Sequence, residues 1–466
     1  MHSSFIFKKG FFITTKNNKE IKIPINKVLF KKIYKDAFEQ LFSISNISQV
    51  SSPILAMPDI HPGFGVPIGT VFASLKENAI ISSEAVGYDI NCGIRIVKTN
   101  LFLKDFTKEQ LKDLASSLKK LPLGLSNNGL KITEKDYKQI LTEGINWAVS
   151  KKYCLKKDLY YIYNKGFFKG ASPAYVSKDA LKRGKSQLGT LGQGNHFIDI
   201  LVVDKVFNKI IGEQFSLKKD QLVIMIHSGS RGLGHQIASD YFKKFKFKNP
   251  LSHAYLSSKE GSSYYKAMLA AANFAFVNRA VLTYFVNLKF NDFFNKKIKF
   301  DLLYDLSHNL ASLEKHNNKE YLVTRKGSTR VFLPEDLPSK NPFKKTGSPI
   351  ILPGSMLDNT YILVPDKGVR ETFCSVAHGS GRSLSRKEAK EKISFKDLKL
   401  FMEKNNVILE NVSENLAREE QPSAYKSSNE VVKSMVASKM VKKVLTLKPV
   451  IVLIGWCVFL NKIINF

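Results

Sequence analysis

Short apolar runs broken by glycine and proline dominate residues 20–100. Ile54-Leu55-Ala56 and Gly69-Thr70-Val71-Phe72-Ala73 are typical, and the pattern predicts strands joined by tight loops. Apolar positions recurring at three- and four-residue spacing predict helices near 105–120, 134–150, 262–290 and 394–404. The last opens on Ser394 with Asp397 three residues on, a variant of the capping box. Residues 221–226 form a short apolar run that predicts a buried strand with His227 at its end. Residues 350–352 do the same for Pro353-Gly354-Ser355-Met356. Helices and strands follow no regular alternation, so the pattern predicts an α+β fold rather than a doubly wound sheet. No repeat or low-complexity linker divides the chain. A single catalytic domain is expected over residues 1–466, with chemistry-bearing motifs at about 50–455 and an apolar tail at 456–466.

Composition narrows the function classes. Hydrophobic residues make up 44%, enough for a large core and against global disorder. Residues 1–15 lack the continuous apolar core of a secretory signal. The longest apolar run, 449–460, is short for a bilayer span. The expectation is a cytoplasmic monomer with no membrane span. Four cysteines without paired spacing predict neither a disulfide framework nor a zinc finger. The net charge of +32 favours a polyanionic partner, although lysine-rich drift alone could produce much of it. Only ten of the 72 basic residues are Arg, yet Arg95, Arg231, Arg325, Arg330, Arg382 and Arg386 lie in or beside glycine- or serine-rich stretches. The planar guanidinium fork grips phosphate as lysine cannot, so this placement predicts phosphate handling.

Five of the nine histidines sit in short polar patches punctuated by Gly, Ser or Asn. Asp89 and Cys92 stand three apart in Gly87-Tyr88-Asp89-Ile90-Asn91-Cys92-Gly93, so a carboxylate and a thiolate could face one cation. A lone pair of this kind is more often ordinary packing, since free Cys is commonly buried. His196 follows Gly194-Asn195, His227 leads Ser228-Gly229-Ser230-Arg231-Gly232, and His308 precedes Asn309. Each alone reads as a structural histidine; their shared surroundings favour metal ligation. His235 and His316 lack such surroundings and are expected to be structural, His2 and His253 to be surface residues. Cys154, Cys374 and Cys457 are expected to be reduced, non-catalytic thiols. In His378-Gly379-Ser380-Gly381-Arg382 an imidazole precedes a small-residue turn and two arginines, Arg382 and Arg386. His378 is then either a nucleophile toward phosphorus or a hydrogen-bond donor in a phosphate loop.

The ordered series M-P-D-x-H, G-x-D-x-N-C-G, G-x-G-N-H-F, H-S-G-S-R-G-L-G, S-H-N, R-K-G-x-T-R, P-G-S-M and H-G-x-G-R resembles the RtcB family of RNA-splicing ligases over roughly residues 50–455. The resemblance implies a GTP-dependent RNA ligase that joins 2′,3′-cyclic phosphate or 3′-phosphate ends to 5′-hydroxyl ends, in tRNA splicing or RNA repair. It implies an α+β RtcB-like fold with mixed sheets around a metal and nucleotide pocket, two Mn²⁺ ions, GTP, and a guanylylated His378. By the same resemblance Asp89, Cys92, His196, His227 and His308 are the metal ligands, with Cys92 bridging. Asn195, His196, Phe197, Ile198, Asp199, His308, Asn309, Pro353, Gly354, Ser355, Met356, Thr360, His378, Gly379, Ser380, Gly381 and Tyr425 fall at the nucleotide. Arg231, Arg382 and Arg386 are assigned to phosphate or RNA, and Asp59 to the rim of the site.

Three positions depart from the family pattern. Asp199 stands for Glu, Thr360 for Ser, and Ile454 for the lysine of a terminal Lys-Gly pair, with Lys462 further along. Two alternatives therefore stay open: a metal-dependent RNA-end phosphohydrolase or cyclic phosphodiesterase, and a non-catalytic RNA-binding relative with a degenerate C-terminus. The need for an activating protein is open as well.

Overall fold

The computed structural model describes residues 4–123, 128–245 and 250–455. The apolar tail 456–466, with Cys457 and Lys462, and His2 lie outside the described residues. The fold is α+β, built on a seven-stranded and an eight-stranded sheet, with nearly every strand pair antiparallel.

The eight-stranded sheet places the strand Phe300–Ser307 beside Gly93–Phe102, then Gln221–Ser228, Phe197–Val206 and Val441–Ile454. The predicted strand at 221–226 therefore exists and runs on through His227. Its eight residues are all buried, as its unbroken apolar run requires. Registers bring one end of five neighbouring strands into a row: Ser307 pairs with Gly93, Gly93 with Ser228, and Phe197 with both His227 and Ile454. Loops leaving that row carry the polar patches read from sequence.

The seven-stranded sheet contributes Val50–His61, Ile68–Leu75, Lys319–Lys326 and Asn309–His316. The two sheets meet at His308, the single residue between Phe300–Ser307 in one and Asn309–His316 in the other. Residues 20–100 are mostly strands and loops as predicted, but also hold the helices Lys27–Phe30, Lys35–Ile44 and Ser83–Val86.

Three of the predicted helices form near their expected places, at Lys108–Leu118, Lys259–Phe294 and Phe395–Lys404. Ser394 caps the last by accepting the Asp397 N–H. The helix expected at 134–150 is two, Glu134–Glu143 and Ile145–Ser150. Gly144 between them takes φ +56, and an added Cβ there would sit 2.5 Å from the Gly166 carbonyl oxygen. The helix Lys259–Phe294 is long and apolar enough to cross a membrane by length and composition, yet 83% of its apolar window is buried inside the protein. It is the central post of the core, and it carries three buried polar residues, Asn273, Asn278 and Arg279.

Candidate active site

Five side chains from four segments converge at the end of the eight-stranded sheet. His196 Nε2 lies 2.8 Å from Asp89 Oδ2 and 3.4 Å from Cys92 Sγ. Cys92 Sγ lies 3.1 Å from His227 Nε2, which lies 3.3 Å from His308 Nε2. Polar atoms from five residues packed this closely cannot all satisfy one another as donors and acceptors. Cys92, His196 and His227 together could hold a metal ion, and with Asp89 and His308 beside them the donors suit a divalent transition-metal ion. Burial first, then neighbouring charge, lowers the His227 and His308 pKa, keeping both imidazoles in the neutral, ligating form. Burial pushes the Cys92 thiol well up, with Asp89 adding to it; a bound cation reverses that and draws off the proton. Burial would also raise Asp89, but the His196 ring beside it holds the carboxyl below the usual range.

The layer beneath explains how the loops keep this geometry. Leu191 O accepts from His196 Nδ1 at 3.1 Å, turning Nε2 toward Asp89 and Cys92. Ser230 N donates to Asp89 Oδ1 at 3.0 Å, and a Cβ on Gly229 would strike the same carboxylate at 2.4 Å. From the central helix, Arg279 donates to the carbonyls of Asn91 and Ser228, both at 2.9 Å. Its Nε also donates to Asp305 Oδ1, while Arg95 donates to Asp305 Oδ2. Asn278 ties Gly189, Thr190 and Gly229 together through its amide. Buried charges of this kind are tolerated because each guanidinium here faces the Asp305 carboxylate. Sequence reading missed them; the signal was three polar residues inside an otherwise apolar helical stretch.

The second centre is His378, which follows the short strand Ser375–Ala377. Its ring centroid lies 5.0 Å from that of His308. Asp59 Oδ2 accepts from the His378 backbone N–H at 3.1 Å and from Nδ1 at 2.6 Å. Asp59 is therefore not at the rim. It is fully buried, and it fixes the tautomer that leaves the His378 Nε2 lone pair free. Gly381 is required here: it has φ +69, and a Cβ would meet the Asp59 carbonyl oxygen at 2.2 Å. Two buried lysines hold the neighbouring backbone. Lys426 donates to the carbonyls of Pro58 and Ile60, and Lys326 to those of Phe64 and Val66. Burial lowers the pKa of each to about 8.

A cavity of about 430 Å³ opens between the two centres. Asp89, Cys92, His227, His308 and His378 line it, with Asn195, Phe197, Asp199, Asn309, Pro353, Gly354, Ser355, Met356, Gly379, Ser380, Gly381 and Tyr425. Arg382 and Arg386 line it too. His196 is absent from the wall and meets Asp89 and Cys92 behind it. Ile198 and Thr360 are buried and absent from the wall, Thr360 facing Met225 Sδ at 4.0 Å. Arg231 is buried behind the cluster and donates to Thr190 Oγ1 at 3.2 Å. Arg382 turns its fork to Leu384 O, Glu419 O and Glu420, with its guanidinium 5.2 Å from the Tyr425 ring. Arg386 is largely exposed and pairs with Glu419 at 3.7 Å. Arg95, Arg325 and Arg330 do not reach the cavity: the first is held by Asp305, the others by the fully buried Glu314. Asp199 is buried with Oδ1 unpaired, and burial raises its pKa well above the carboxylate range. Ile454 and Val452 complete that wall.

His235 stacks on Tyr88, and His316 donates to Glu314; neither belongs to the metal cluster. His253 is half-buried, its ring nitrogen at the Leu251 carbonyl. Cys154 and Cys374 are buried free thiols.

The family model for tRNA-splicing ligase RtcB matches residues 40–455. A tRNA-splicing ligase RtcB from Methanococcus maripaludis is 38% identical over 93% of this chain and 94% of its own length. One from Archaeoglobus fulgidus is 36% identical over 91% of this chain and 92% of its own. An RNA-splicing ligase RtcB homolog 2 from Entamoeba dispar is 37% identical over 97% of this chain and 92% of its own. With the ligand cluster and His378 assembled around one cavity and the match running almost end to end, the chain belongs to the RtcB family.

Proposed function

We propose that this chain is an RNA ligase of tRNA splicing or RNA repair, joining 2′,3′-cyclic phosphate or 3′-phosphate ends to 5′-hydroxyl ends with GTP as co-substrate. The observation that carries the reading is the Asp59–His378 pair beside the ligand cluster. A histidine whose Nδ1–H is held by a buried carboxylate presents Nε2 as a nucleophile, and a wall of small residues leaves room for a phosphate. His378 Nε2 attacks the α-phosphorus of GTP; the N–P bond forms as the bond to the pyrophosphate oxygen breaks. Asp59 stabilises the charge that develops on the ring. An oxygen of the RNA 3′-phosphate then displaces Nε2 and takes the GMP. Attack by the 5′-hydroxyl on that activated phosphate forms the phosphodiester and releases GMP. Manganese, held by Asp89, Cys92, His196, His227 and His308, would neutralise charge on the phosphate oxygens and lower the pKa of a bound water for opening a cyclic phosphate.

At the base end, the unpaired Asp199 carboxyl is a partner for N–H groups of a purine edge, and Tyr425 with Arg382 closes one side. The test is ligation of two RNA fragments, one ending in a 2′,3′-cyclic phosphate and one beginning with a 5′-hydroxyl. A joined product that needs both GTP and Mn²⁺ is expected. Opening of the cyclic phosphate without joining would replace the ligase reading with a phosphohydrolase.

A further inference from the structure

A set of aromatic rings stands at the mouth of the cavity, and no step above uses it. Phe64 follows the strand that carries Asp59 and is 48% exposed. Its ring lies 5.7 Å from Tyr88 and 5.3 Å from Phe242. Tyr88 in turn lies 4.9 Å from His235 at an interplanar angle of 26°, close to parallel. His235 and Phe242 are seven residues apart on the helix Arg231–Lys244, hence on one face. Burial, then the charge of nearby Arg183, lowers the His235 pKa, so at neutral pH it is an uncharged flat ring. Arg183 is exposed and near the His235 ring, and the exposed Lys243 follows Phe242 in the chain.

An exposed phenyl ring backed by half-buried rings at the mouth of a cavity marks a surface that a partner can cover. Flat rings interleaved with cations suit a single-stranded nucleic acid, in which bases stack and phosphates seek positive charge. Resting on the RNA-ligase reading, we propose that Phe64, Tyr88 and His235 form a stacking platform for a nucleobase of the single-stranded RNA end entering the cavity. Arg183 and Lys243 meet the adjoining backbone phosphates. Each ring is anchored on a segment that also serves the chemistry. Phe64 follows Asp59 in chain, Tyr88 precedes Asp89, and the helix of His235 begins at Arg231 beside Ser230. A base stacked there holds its phosphate at a set distance from His378, which is how positioning lowers a barrier.

The experiment measures binding of a short single-stranded RNA with a 3′-phosphate by fluorescence anisotropy, with no nucleotide present. Phe64→Ala and Phe64→Leu should each weaken binding about tenfold, as for loss of one stacking surface, while Phe64→Trp binds nearly as the natural protein does. An RNA with an abasic terminal nucleotide should bind the natural protein about tenfold less well, and Phe64→Ala should show almost none of that difference. Covalent GMP capture in the absence of RNA should be intact in all three variants, which also reports that they fold. Full-strength RNA binding by Phe64→Ala, or an undiminished abasic penalty in that variant, would overturn the platform. Absence of GMP capture by the natural protein would instead remove the ligase reading, and the binding comparison would still decide the platform.

Discussion

The two ends of the cavity are built on opposite principles. At the Cys92 end the backbone is pinned from below: Arg279, Asn278, Asp305 and Arg95 are buried, and the first two hold Asn91, Ser228 and Gly229 beside Asp89, Cys92 and His227. At the other end the wall includes Met356, Val452 and Ile454, with the buried Asp199 carboxyl beside them and its Oδ1 unpaired. One end is held by buried ion pairs and amide hydrogen bonds from the central helix. The other is apolar except where a hydrogen-bonding ligand would have to complete it. On the proposed function, the chemistry depends on the frame beneath Cys92 and nucleotide selection on a few side chains of the apolar wall.

The largest effect is expected from Cys92→Ala, which removes the thiol standing between His196 and His227. Metal measured by mass spectrometry should fall, GMP capture should become undetectable, and the gain in thermal stability on adding Mn²⁺ should vanish. A fully metallated Cys92→Ala protein would mean that the pinned end does not depend on its central ligand. Asp59→Asn comes next. Metal content should stay unchanged while the rate of GMP capture drops about 10³- to 10⁴-fold, the scale seen when a carboxylate no longer sets a histidine tautomer. An unchanged rate would show that the short hydrogen bond is only structural.

Arg279→Met tests the frame itself. It leaves Asp305 with Arg95 alone and frees two loop carbonyls, so urea unfolding should show a loss of about 3–5 kcal/mol. Equal stability would mean that the helix does not hold the ligand loops. The smallest effect belongs to the base end. Residues 197 and 199 share a face with 452 and 454 across the strand pair, so an ammonium introduced by Ile454→Lys would stand near the unpaired Asp199 carboxyl. GTP labelling should become about ten- to hundredfold tighter, with ATP more strongly rejected, as for one satisfied buried polar contact of about 1–3 kcal/mol. Tight, GTP-only labelling by the natural chain would contradict this account of the apolar wall.

The same contrast governs what was legible in the sequence. The gathering of Cys92, His196 and His227 was foreshadowed by their shared polar, glycine-punctuated surroundings, and the strand delivering His227 follows from an unbroken apolar run. The depth of Asp59 was not, since a strand residue's burial depends on which loops later cover it, here Gly381 and Lys426. Arginine misled most. The planar fork that suits a phosphate suits a buried carboxylate equally, so Arg95, Arg325 and Arg330 proved to be core ion pairs. Gly144 was overlooked because helical spacing continues on both sides of it.

The central claim is that His378, held by Asp59 and set beside the metal ligands, is the group that takes up GMP. Incubation with α-labelled GTP and Mn²⁺, followed by denaturation, tests it directly. The natural protein should retain acid-labile, denaturation-resistant label, and His378→Ala should retain none while binding as much metal. Equal label on His378→Ala would contradict the account.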